Sequence, residues 1–169
     1  MAKHHVTAHS AAFNTISTNN PSDSTERRIC MFSILITALI VATSQQRIFE
    51  SATHDALARR NANSAWEQVQ KRATALVRLE ATTPEARALS GFAMVIKTLA
   101  DKRTTPLGAS FLQSLLRDPD DLIVLLYKAE TPLADRLMCA AFNAIDRLST
   151  LRAFSAMPPA PQPMLAEAA

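Results

Sequence analysis

The chain predicts an all-α fold: a small bundle of about five to six helices, with a hydrophobic helix near residues 29–43. Three observations carry that expectation. The pairs Thr83-Pro84, Thr105-Pro106, Asp118-Pro119 and Thr131-Pro132 each place a short polar residue before a proline. That is the pattern of a helix start, because proline at the first helical position forfeits no hydrogen bond and the preceding oxygen can accept from an orphan N–H. Only Gly91 and Gly108 occur in 169 residues, and neither Gly nor Pro falls between Pro21 and Pro84, a stretch too long for turn-rich β structure. The rest is dominated by Ala, Leu and Arg, which are good helix formers. A chain with 48% hydrophobic residues can bury one modest core.

Residues 1–25 are rich in Ser, Thr and Asn with little apolar periodicity, and read as a disordered leader. Residues 26–43 form the apolar helix. Within them Ile29 to Thr43 reads ICMFSILITALIVAT, and no charge intervenes between Arg28 and Arg47. Eighteen uncharged residues make a helix about 27 Å long, against a hydrocarbon layer of about 30 Å. The run carries no charged face for an interfacial helix, so it spans a membrane, is buried in protein on all sides, or is cleaved as a signal. The cleaved reading would use Arg27 and Arg28 as its basic region and Ala42-Thr43-Ser44 as its small-residue site. Glu26 and the long leader weigh against it. The single-pass membrane reading is placed ahead of the cytoplasmic core-helix reading.

Residues 44–155 read as the helical domain. The segment from Ser44 to Arg60 is helix-compatible, Asn61-Ala62-Asn63-Ser64 is the expected break, and Ser64 with Glu67 has the spacing of a capping box that starts a helix near Ala65. Trp66, Val69, Ala73 and Leu76 then recur at helical steps. A helix from Pro84 to about Arg103 carries Leu89, Phe92, Ile96 and Leu99. Short helices over 107–117 and 119–130 carry Phe111, Leu115, Leu122, Leu125 and Leu126. A last helix over 132–154 offers Leu133, Leu137, Ala141, Ile145 and Leu148 on one face. Pro106, Pro119 and Pro132 are evenly spaced, but the residues between them share few apolar positions, so no repeat follows. Residues 156–169, with Pro158, Pro159, Pro161 and Pro163, form a disordered Pro- and Ala-rich tail.

Through Trp66, Ala81-Thr82-Thr83-Pro84 and Ser114-Leu115-Leu116, the chain resembles a set of uncharacterised small all-helical bacterial proteins with an Ala-Thr-Thr-Pro helix junction. Those relatives carry a glycine and a lysine soon after the proline, where this chain has Ala86 and Ser90. The resemblance implies an all-α fold and carries no activity or site residues across.

The inventory argues against an enzyme. His4, His5 and His9 fall in the leader, leaving His54 as the general-base candidate of the folded part. His54 and Glu50 could supply two metal ligands at one helical spacing, but no third is marked, so a solvated surface pair is the expectation. No catalytic, cofactor-binding or metal site is assigned, and no cofactor. Cys30 and Cys139 form no CxxC spacing and are expected to be buried free thiols. A net charge of +3 raises nucleic-acid binding as a third reading, by a helix-turn-helix-like unit over 84–130. Asp118, Asp120 and Asp121 would meet the phosphates there. The basic residues fall in the scattered pairs Arg59-Arg60, Lys71-Arg72 and Lys102-Arg103. The expected function is a non-enzymatic helical protein, single-pass membrane-anchored in the first reading and a soluble bundle in the second, acting through a protein partner or self-association.

Overall fold

The computed structural model describes residues 21–52, 55–118 and 131–155. Among these, five helices pack against one another: α1 (Pro21–Ser51), α2 (Ala56–Val77), α3 (Pro84–Lys102), α4 (Pro106–Arg117) and α5 (Pro132–Asp146). Two short 3₁₀ segments, Arg147–Thr150 and Arg152–Phe154, close the described chain. The helix anticipated over 119–130, the leader up to residue 20 and the tail from 156 lie outside the described residues.

α1 extends past the apolar run at both ends, beginning inside the stretch read as leader and continuing to Ser51. Phe32, Leu35, Ile36, Leu39, Ala42 and Thr43 recur at steps of three and one and are buried, which places one long face of α1 in the core. α2 makes the most extensive pairing with α1. The two run antiparallel, since Gln46 meets Trp66 while Met31 and Ile34 lie beside Lys71 and Ala75. α3 then runs back along α2, with Gln70 Nε2 donating to Asp101 at 2.9 Å and Arg103 donating to Asn63 Oδ1 at 2.9 Å. Phe32 of α1 meets Phe92 of α3 edge-on, ring centres 6.4 Å apart. α5 lies against α1 and α3, and α4 packs on α3 and the 3₁₀ segments.

The expected break at Asn61–Ser64 does not occur. α2 starts at Ala56, where the Asp55 carboxylate accepts from Leu57 N at 2.8 Å and Ala58 N at 3.2 Å. Its buried stripe then runs unbroken through Ala58, Ala62, Trp66, Val69, Ala73 and Leu76. Burial of Ala58 and Ala62 outweighs the few tenths of a kcal/mol that each Asn costs in a helix, and Asn63 is engaged by Arg103. Ser64 and Glu67 are exposed mid-helix residues.

The proline starts at 84, 106 and 132 do open helices. Thr83 Oγ1 accepts from Ala86 N at 3.1 Å, and Thr131 Oγ1 accepts from Ala134 N at 3.3 Å. Thr105 differs: its hydroxyl donates to Lys102 O at 2.8 Å and caps nothing. The last helix is shorter than anticipated. It ends at Asp146, where Ser149 and Thr150 hydroxyls turn back to the Asp146 and Arg147 carbonyls and the chain tightens into 3₁₀ turns. Ala141, Ile145 and Leu148 are buried as the stripe requires, but Leu133, in the first turn, is 53% exposed and Ala134 takes the core position. Phe111 and Leu115 sit at the edge of the core, with Ala109 and Leu112 as the fully inward residues of α4.

Candidate functional site

At the C-terminal end of α1, polar side chains form one connected chain. Trp66 Nε1 donates to Gln46 Oε1 at 3.3 Å, and Gln46 Nε2 donates to Glu50 Oε1 at 3.0 Å. The Glu50 carboxylate accepts the backbone N–H groups of Arg152 at 2.9 Å and Ala153 at 3.0 Å. Trp66 is fully buried, flanked by Phe154 at 6.1 Å and by the Arg103 guanidinium 5.7 Å from its ring centre. Burial lowers the Arg103 pKa from its ordinary value, and Glu67 opposes that shift.

At the other end of α1, Arg28 is buried and donates to Ser90 Oγ and to the Glu80 carbonyl, both at 2.6 Å. Desolvation lowers its pKa, though an arginine stays cationic in either state. The guanidinium fork clamps α1 to the junction between α2 and α3. In the sequence Arg28 stands beside Arg27 as the basic flank of the apolar run, and nothing in its spacing marks it as a core residue. A third polar contact joins α3 to the start of α5: the exposed Thr131 donates through Oγ1 to the buried Glu85 carboxylate at 2.5 Å.

These networks account for several of the candidate residues. Glu50 accepts from the second 3₁₀ segment; His54, its expected partner, lies outside the described residues, as do His4, His5 and His9. Among the described residues no group of three or more His, Cys, Asp and Glu side chains is placed to hold a metal ion. Cys30 and Cys139 are free but exposed, contrary to the expectation of buried thiols. Each lies on the outer face of its helix, off the buried stripe. Of the basic pairs, Arg59-Arg60 and Lys71-Arg72 are exposed on α2, while Arg103 is taken up by Trp66 and Asn63. A cleft of about 570 Å³ lies between the end of α1, the start of α4 and the second 3₁₀ segment, lined by Phe49, Thr105, Ala109, Gln113 and Arg152. Its carboxylate, Glu50, already accepts from two backbone N–H groups.

The outer face of α1 is a different kind of surface. Ile34 and Ile40 are each 42% exposed, Val41 48% and Ile48 51%. Cys30, Ser33, Thr37 and Ser44 lie among them and are exposed too. Two of the hydroxyls on this face are bonded within the helix: Thr37 Oγ1 donates to Ser33 O at 3.1 Å and Ser44 Oγ to Ile40 O at 3.0 Å. Beside it, Met31, Ile34, Gln68, Lys71, Arg72 and Ala75 line a groove of about 290 Å³ between α1 and α2, apolar at its floor and cationic at its rim. The run from Thr25 to Ser51 is long and apolar enough to cross a membrane, with 39% of its most apolar window buried in the bundle. Sequence periodicity could not reveal this two-faced character, because both sides of α1 are apolar and only packing tells them apart.

Comparison with protein-family models, with curated proteins and with solved structures gives no match.

Proposed function

We propose that the chain is a non-enzymatic helical interaction module in which α1 does two jobs, building the core with one face and docking a protein partner with the other. The observation that supports it is the split burial of α1: Phe32, Leu35 and Leu39 have no exposed surface, whereas Ile34, Ile40, Val41 and Ile48 are about half exposed on an uncharged face. An uncharged apolar strip flanked by charged residues is a surface of the kind that proteins use for contacts. Arg28, buried and doubly bonded at the head of α1, favours a helix held within the bundle.

The single-pass anchor is the second reading, favoured by the length and apolarity of Thr25–Ser51. A pair of substitutions separates the two. Leu35→Arg and Val41→Arg each place a cation near the middle of the run, so a spanning helix loses about 2.5–3.5 kcal/mol of insertion energy from either. In the bundle reading Leu35→Arg buries an unpaired charge and unfolds the protein, while Val41→Arg keeps its helical circular dichroism and melting temperature. Carbonate extraction of the parent protein completes the test: recovery in the soluble fraction is expected, and retention with the membranes overturns the reading.

A further inference from the structure

We propose that the partner of the α1 outer face is a second copy of this chain, the two α1 helices packing antiparallel about a two-fold axis. The proposal rests on the docking reading and gives it an occupant. Its first support is charge placement. Glu26 and Arg47, both exposed, stand at opposite ends of the uncharged strip; one Arg47 guanidinium nitrogen donates to Thr150 Oγ1 at 3.0 Å, and its remaining N–H donors are left for an acceptor across the face. At 100° per residue they fall within about 60° of each other around the helix, while Arg27 falls on the other flank. A two-fold axis perpendicular to antiparallel helices keeps each flank on its own side. It therefore sets Glu26 of each copy beside Arg47 of the other, twice per dimer. A parallel pair would instead leave Glu26 and Arg47 at opposite ends of the interface, with neither carboxylate near an Arg47. The antiparallel arrangement also opposes the two helix dipoles.

Shape points the same way. The register that pairs Glu26 with Arg47 brings the protruding Val41 of one copy to the groove beside Met31 and Ile34 of the other. It sets Ile40 over the small Ser33. Thr37 meets its own counterpart on the axis, and its hydroxyl, bonded to Ser33 O, leaves no donor stranded on burial. A self-complementary face of this kind is the requirement of a closed dimer.

The same register places Cys30 beside Ser44 of the other copy, whereas the two Cys30 residues stand about 20 Å apart along the helix axis. The test uses the full chain carrying Cys139→Ser, with and without Ser44→Cys. Mild oxidation is expected to give a covalent dimer on a non-reducing gel with Ser44→Cys and none without it. Light scattering of the parent is expected to report twice the 18.4 kDa chain mass. Val41→Lys should weaken self-association at least about 100-fold, since the change acts twice across the axis, with helicity unchanged. A Cys30-to-Cys30 dimer overturns the antiparallel arrangement, and a dimer indifferent to Val41→Lys overturns the face. A soluble parent that stays monomeric at about 100 µM overturns the dimer and leaves the docking reading to a different protein. Recovery only with membranes overturns both.

Discussion

Three threonines that look alike before a proline do different work. Thr83 gives its helix one cap bond, so Thr83→Ala is expected to lose about 0.5–2 kcal/mol in urea melts, and Thr83→Ser to lose little. Thr131 caps α5 and also donates to the buried Glu85 carboxylate. Its removal takes a charge-assisted bond along with the cap, and Thr131→Ala should cost about 2–3 kcal/mol, more than Thr83→Ala. Thr105 caps nothing, and Thr105→Ala should cost least of the three. An equal loss at all three positions would show that methyl packing, not hydroxyl bonding, sets the effect. Arg28 makes a sharper case. Replacing it with Met strips the donors from Ser90 and the Glu80 carbonyl, an expected loss of about 2–4 kcal/mol, while Lys, with one ammonium in place of a two-nitrogen fork, should recover roughly half. A Met variant as stable as the parent would mean that the buried cation is dispensable.

At the scale of the element, the junction between α3 and α4 is held tight by Gly108. A Cβ built there runs into the Lys102 carbonyl, a backbone atom that cannot swing aside. Gly108→Ala should therefore lower stability by about 1–3 kcal/mol, whereas alanine in place of glycine normally strengthens a helix. A melting temperature at or above the parent's would show that the junction can open without cost. The proline starts and the apolar stripes were legible in the sequence because both are local signals, fixed by the first turn and by the 3.6-residue period. The false break at Asn61–Ser64 shows where local reading fails. A capping box is only a competitor for its own N–H groups, and the buried faces of Ala58 and Ala62 outbid it. The early end of α5 leaves no mark in the sequence because its stripe, Ala141, Ile145 and Leu148, continues inward through the change to 3₁₀ geometry.

For the molecule as a whole, the first helix is a structural part of the domain that follows it. Phe32, Leu35, Ile36 and Leu39 together bury about 6–12 kcal/mol of side-chain transfer energy, comparable to the entire stability of a small domain. A chain shortened to begin at Ser44 is expected to lose its helical circular dichroism and its cooperative melt. A cooperative melt from that fragment would make α1 an appendage. The pairings that set this dependence were invisible in the sequence. Arg28 lies 62 residues from Ser90, and Glu50 lies 103 from Ala153, separations at which no spacing rule operates. The Glu50 contact has a temporal side as well. At about 5–20 residues per second, a ribosome needs about 5–20 s to deliver Ala153 after Glu50. Through that interval the end of α1 has no 3₁₀ segment to cap and Trp66 has no Phe154 beside it, while a helix apolar enough for a bilayer has already been made. The nascent chain thus faces a race between closing its own bundle and being captured by a lipid surface. Under the bundle reading, the extensive pairing of α1 with α2, the helix synthesised next, tilts that race toward the folded domain.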